Sequence, residues 1–213
     1  MALINNGILG GFYGKVGPVS GYTRLGKSVM RSASSNVVDK PTPARQKQRE
    51  KVKMCNIFMN AFARTGLFRK TFPYYGQGGS GYNRAMGVLL NKAVYGTFPA
   101  YHIDYAKVLI SCGPLPEAEK ALATATPEHN IQFTWINNST CGSAKANDRV
   151  VLVAYFAAKQ QIIFSLHAAN RATGQATLVT DSMQGYAAET WIGFLSDDEK
   201  DAANSVYTGS IGG

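Results

Sequence analysis

From Pro116 to the end, the chain repeats one texture: short apolar runs with turn-forming residues between them. Ile131, Phe133 and Trp135 alternate with polar neighbours, and Val151, Val153 and Tyr155 recur at every second position. A period of two puts successive side chains on opposite faces, so these runs read as strands. Seven candidates fit into this stretch, over 121–126, 130–135, 149–156, 161–167, 175–180, 189–195 and 204–211. Short antiparallel strands at this spacing bury their apolar faces by forming two sheets packed against one another.

The first half has a different texture. Gly7, Gly10, Gly11, Gly14, Gly17, Gly21 and Gly26 are interleaved with Phe12, Tyr13, Val16, Val19 and Tyr22. Glycine at this density disfavours a helix. Residues 16–22 and 27–31 are predicted as two short strands around a turn at 23–26. A lone hairpin is marginal in water, so this one needs a surface to pack on, in the same chain or in a neighbouring subunit. Residues 32–40 are small, polar and irregular. Thr42-Pro43 then supplies a hydroxyl cap and a proline at the first helical position. A basic first half at 44–51 leads into Met54, Ile57, Phe58, Ala61 and Phe62 on one face, with Gly66 as the stop. A second amphipathic helix is predicted over 83–95, through Met86, Leu89, Leu90, Ala93 and Val94, and a strand over 105–111. Gly113-Pro114 and Pro116 break the pattern and set the expected boundary between a domain at 1–114 and one at 115–213. The expected fold is therefore α+β: a glycine-rich hairpin and a two-helix region, then a seven-stranded antiparallel immunoglobulin-like β-sandwich.

Charge follows the same division. Residues 1–114 hold 16 Lys and Arg against Asp39, Glu50 and Asp104, whereas 115–213 hold six basic residues against ten acids. The net charge of +9 thus hides a strongly basic half and an acidic one. The basic half suits nucleic acid, an anionic surface or an acidic protein, including the acidic half of another copy. With 45% hydrophobic and 16% charged residues, the composition is that of a folded chain. No apolar run approaches the roughly 20 residues of a membrane-spanning helix. Met1-Ala-Leu-Ile-Asn-Asn lacks the charged start of a standard secretion signal, so the expected setting is cytoplasmic or within an assembled particle or filament.

Three resemblances accompany these patterns. The aromatic-ended strand closing on Trp135, the Trp191-centred penultimate strand and the polar turn before Asn204-Ser-Val-Tyr resemble a fibronectin type III module. Over the whole chain, Ile4-Asn-Asn-Gly-Ile-Leu-Gly-Gly-Phe, Gly14-Lys-Val-Gly-Pro-Val, Gly26-Lys-Ser-Val-Met-Arg and Gly113-Pro-Leu-Pro resemble an uncharacterised family of Bacteroidota proteins of similar length. That resemblance implies no activity and no site residues. The early hairpin followed by Thr42 and Gln46 is also similar to short proteins encoded in phage structural regions.

Motifs for chemistry are few. Gly21-Tyr-Thr-Arg-Leu-Gly-Lys27-Ser28 fits the phosphate-loop pattern G-x-x-x-x-G-K-[ST]. The chemistry requires a buried strand before the loop and a helix after it, but glycine and proline break the first and Val29-Met-Arg-Ser has no amphipathic stripe. A hairpin turn is the expected structure. His102, His129 and His167 are scattered, and Cys55, Cys112 and Cys141 make neither a disulfide framework nor a zinc spacing. Asp197-Asp-Glu-Lys-Asp201 lacks the alternation of a calcium loop and reads as a solvated turn. No catalytic, cofactor or metal residue is assigned, no small-molecule substrate is expected, and the chain is read as a non-enzyme.

Two groups of residues remain as candidates. Phe12, Tyr13, Val16, Val19 and Tyr22 are the candidate self-association surface of a homo-oligomer. Lys27, Arg31, Arg45, Lys47, Arg49 and Lys51 are the candidate anion or nucleic-acid contacts, with Tyr74, Tyr75 and Tyr82 as candidate stacking partners. The expected function is a structural or assembly protein acting through its surface, with nucleic-acid binding as the alternative.

Overall fold

A computed structural model describes residues 3–4, 10–24, 26–33, 39–73 and 79–212. The glycine-rich start forms four short antiparallel strands, β1 (Leu3–Ile4), β2 (Phe12–Val16), β3 (Val19–Arg24) and β4 (Lys27–Ser32), paired in that order. The single strand expected over 16–22 is thus two. Gly17, at φ 53, and Pro18 turn the chain so that Val16 pairs with Val19. Glycine takes that left-handed conformation without steric cost. The second turn follows directly, with Arg24 opposite Lys27.

Helix α1 (Pro43–Asn60) opens on its proline, as expected, and buries Cys55, Phe58 and Met59. Two short helices follow, α2 (Leu67–Thr71) and α3 (Gly81–Val88). The Ser80 hydroxyl caps α3 by accepting from the Asn83 N–H at 3.3 Å. The helix then widens into one π-helical turn, Leu89–Ala93, which gives way to the hairpin β5 (Val94–Thr97) and β6 (Ala100–Ile103). Where a strand was expected over 105–111, a 3-10 turn at Tyr105–Lys107 leads into a strap that buries Val108 and Ile110. The strap is held by Ile110 N–H on Ser205 Oγ at 2.8 Å and by Cys112 N–H on Thr71 O at 3.0 Å.

The described residues beyond the strap form seven strands, each overlapping its expected position. They are β7 (Glu119–Ala125), β8 (Ile131–Ile136), β9 (Arg149–Phe156), β10 (Gln161–Ser165), β11 (Gln175–Leu178), β12 (Ala188–Leu195) and β13 (Val206–Ile211). One antiparallel sheet has the order β11-β8-β7 and the other β10-β9-β12-β13. The protein is α+β, with most of its regular structure in antiparallel sheets.

Strand β9 explains the layering. Its even positions, Val150, Leu152, Ala154 and Phe156, share a core with Ile131, Phe133 and Trp135 of the smaller sheet. Its odd positions, Val151, Val153 and Tyr155, share a second core with Cys55, Phe58, Phe62 and Phe68 of the helical region. Both faces of the four-stranded sheet are therefore covered, one by strands and one by helices. This corrects the expected domain boundary. Contacts divide the chain into residues 1–42 and 43–213, not at 114/115, because the helices complete the core of the sheet that follows them.

One polar clasp lies inside the second unit. Arg171 is fully buried and donates from Nε to Asp148 Oδ2 at 3.0 Å, from Nη1 to Asn138 Oδ1 at 2.7 Å and from Nη2 to Pro116 O at 3.1 Å. Its guanidinium carbon lies 3.7 Å from the centre of the Phe194 ring. The planar fork thus joins the segment before β7 to the loops on either side of β9 and β10. The two buried charges pair with one another through Asp148 Oδ2, while Asp148 Oδ1 has no hydrogen-bond partner among the described residues.

Candidate interaction surface

The self-association residues all fall in the first unit. Tyr13 and Val16 are exposed at 64% and 53%, while Phe12, Val19 and Tyr22 are half-buried. The Phe12 ring lies across β3 at Gly21, where an added Cβ would sit 2.3 Å from Phe12 O and 2.8 Å from the ring. Gly21 is the one fully buried position described in this sheet. Met30, which pairs with it on β4, is 66% exposed. The phosphate-loop match lies in the same hairpin. Gly21 sits within β3 and Lys27 and Ser28 open β4, so a strand follows where that chemistry requires a helix.

The basic candidates are divided between the two units. Lys27 and Arg31 are exposed on β4, with Arg31 5.5 Å from the centre of the Tyr22 ring. Arg45, Lys47, Arg49 and Lys51 belong to α1 in the second unit. Arg45, Arg49 and Lys53 recur at four-residue spacing along an open face of that helix, which also carries Val52 and Ile57. Lys51 is half-buried, its ammonium 5.2 Å from the centre of the Tyr101 ring on β6. The first turn of α1 has no acidic residue. Of the three tyrosines, Tyr82 is half-buried against Phe68 at 6.2 Å, and Tyr74 and Tyr75 lie outside the described residues.

The acidic turn is not simply solvated. Glu199 takes φ 56, and its carboxylate receives Lys70 Nζ at 2.9 Å and Arg149 Nη1 at 3.0 Å, with His167 Nε2 at 3.6 Å. The hydrogen bond from Lys70, with the neighbouring charges of Lys70 and Arg149, lowers the Glu199 carboxyl below the ordinary glutamate value. Asp197 accepts from Arg149 Nε at 3.1 Å, and Asp198 is lowered to about 2 by hydrogen bonds from Ser196 and Lys200. Sequence spacing placed Lys70 and His167 far from this turn, and only the fold brings them to it.

A second polar pair lies on the four-stranded sheet, where the Tyr207 hydroxyl donates to Glu189 across the β12–β13 pairing. Burial raises the Tyr155 hydroxyl to about 12 and also raises that of Tyr105. These phenols stay protonated as packing groups around Phe58 and Trp191. Among the described residues, no group of three or more His, Cys, Asp or Glu side chains could hold a metal ion, and the three cysteines are free.

No curated protein and no solved structure is significantly similar to the chain. A family model does match, over residues 11–209, and so extends across most of both units and includes every candidate residue named above. The chain belongs to the family of unknown function DUF6266.

Proposed function

We propose that this is a non-catalytic assembly protein, acting through its surface, in which residues 1–42 join copies to one another. One observation carries the reading. Among the described side chains of that unit no apolar one is fully buried, and both core clusters lie entirely between Cys55 and Ala203. A sheet of four short strands holds together only when an apolar face is covered. A second copy can supply that cover, and the basic first half and acidic second half favour head-to-tail contacts between copies. Deleting residues 1–31 leaves the core clusters intact, so the shortened protein is expected to fold and to sediment as a monomer. Unchanged sedimentation after that deletion contradicts the reading.

In this reading residues 115–213 serve as a fibronectin type III-like module of the immunoglobulin type. Its support is the strand division: first, second and fifth strands in one sheet, and third, fourth, sixth and seventh in the other. The line of Arg45, Arg49 and Lys53 on α1 favours nucleic acid as the second reading. There, binding weakens steeply with salt, and replacing Arg45, Lys47, Arg49 and Lys51 by alanine flattens the slope. An unaltered slope overturns it.

A further inference from the structure

Helix α3 carries a glycine in its interior and runs into a π-helical turn, and both border the same groove. Gly87 sits in the helix interior, where glycine costs about 1 kcal/mol relative to alanine. A Cβ built there meets nothing within 4 Å, so the missing side chain leaves space open. The π-helical turn Leu89–Ala93 follows at once and presents Lys92 to the same groove. The groove has a volume of about 620 Å³, within the range of small-molecule sites. Phe72, Val88 and Pro114 line its apolar part.

The polar groups are of one sign. Arg84 and Lys92 are the charged lining residues, and no carboxylate lines the groove among the described residues. Arg84 is anchored by donating from Nη1 and Nη2 to the carbonyls of Pro73 and Phe72. Its Nε is buried and has no hydrogen-bond partner among the described residues. The positive charges of Arg84 and Lys92, with no carboxylate beside them among the described lining residues, favour an anionic head group in the groove. We propose that this groove binds a small apolar molecule carrying a single carboxylate-type anion, with its body against Phe72, Val88 and Pro114 and its head between Arg84 and Lys92. The site lies wholly within residues 43–213 and is independent of the assembly reading.

Calorimetric titration of the full chain with decanoate, decanol and decyltrimethylammonium tests it. Decanoate is expected to bind at one site per chain, decanol to bind on the order of ten-fold more weakly for loss of a charge-assisted contact, and the cation not to bind. Gly87→Phe fills the groove and is expected to abolish decanoate binding, with a melting temperature no lower than that of the native protein, because the new side chain enters open space. Lys92→Glu is expected to abolish binding with the fold unchanged. Equal affinity for decanoate and decanol, undiminished binding by Gly87→Phe, or no decanoate binding to the native chain would each overturn the proposal.

Discussion

Strands β3 and β12 have comparable hydrogen-bonding arrangements and opposite fates. Both are central, paired on each side in a four-stranded antiparallel sheet. Along β12, seven of eight positions are buried, and Trp191 and Ile192 point into the two separate cores. Along β3, Gly21 alone is buried. Backbone pairing supplies geometry in both places, but only the second unit has apolar layers on both sides of its sheet. Ladder hydrogen bonds exchange for bonds to water with little net gain, so a sheet derives its independent stability from the faces it covers. The second unit thus holds both core clusters, and the first has no fully buried apolar side chain among its described residues.

The sharpest way to break that contrast is to disable the clasp of the second unit. Arg171→Leu leaves Asp148 buried without its cation and is expected to cost about 3–5 kcal/mol. Urea denaturation measures this, and a loss below about 1 kcal/mol would mean that the clasp does not hold the loops around β9. A smaller effect is expected where Glu199 ties α2 to β9 through Lys70 and Arg149. Its folded value lies below the ordinary 4.5, so its contribution is present above pH 4.5 and is lost as pH falls through the lowered value. Glu199→Gln is therefore expected to be less stable than the native protein by no more than about 1 kcal/mol at neutral pH, since the partners are partly exposed. Thermal melts recorded down to about pH 3 should show that gap closing. The smallest effect belongs to the first unit. Tyr13→Asp with Met30→Asp is expected to change the unfolding free energy of the second unit by less than about 0.5 kcal/mol. The same double variant is expected to disperse assemblies in sedimentation, and a destabilised core would erase the distinction between the units.

The sequence made the strands legible where one physical signal dominated. Alternation placed β8 and β9 within a residue of their observed limits, because one-sided or two-sided burial leaves a period-two trace. Thr42-Pro43 marked the start of α1 for an equally local reason. What stayed hidden depends on partners distant in sequence. The first two residues of β5 read as the tail of a helix because Val94 continues the apolar stripe of the segment before it. The boundary at 114/115 failed because the two faces of β9 look alike in composition and differ only in what covers them. Charge density identified Arg45 through Lys51 as cationic but could not foresee Lys51 over Tyr101. Arg171 and Asp148 carry no sign in the sequence that they are buried. The groove beside Gly87 draws on residues from 72 to 114, and no motif joins them.

If residues 1–42 gain their core from another copy, their protection depends on protein concentration. Amide hydrogen exchange measured across a range of protein concentrations tests it most directly. Amides of β2, β3 and β4 are expected to become more protected as concentration rises, while those of β9 and β12 stay equally protected throughout. Protection of β3 that matches β12 at the lowest concentration, and does not change with concentration, would contradict it.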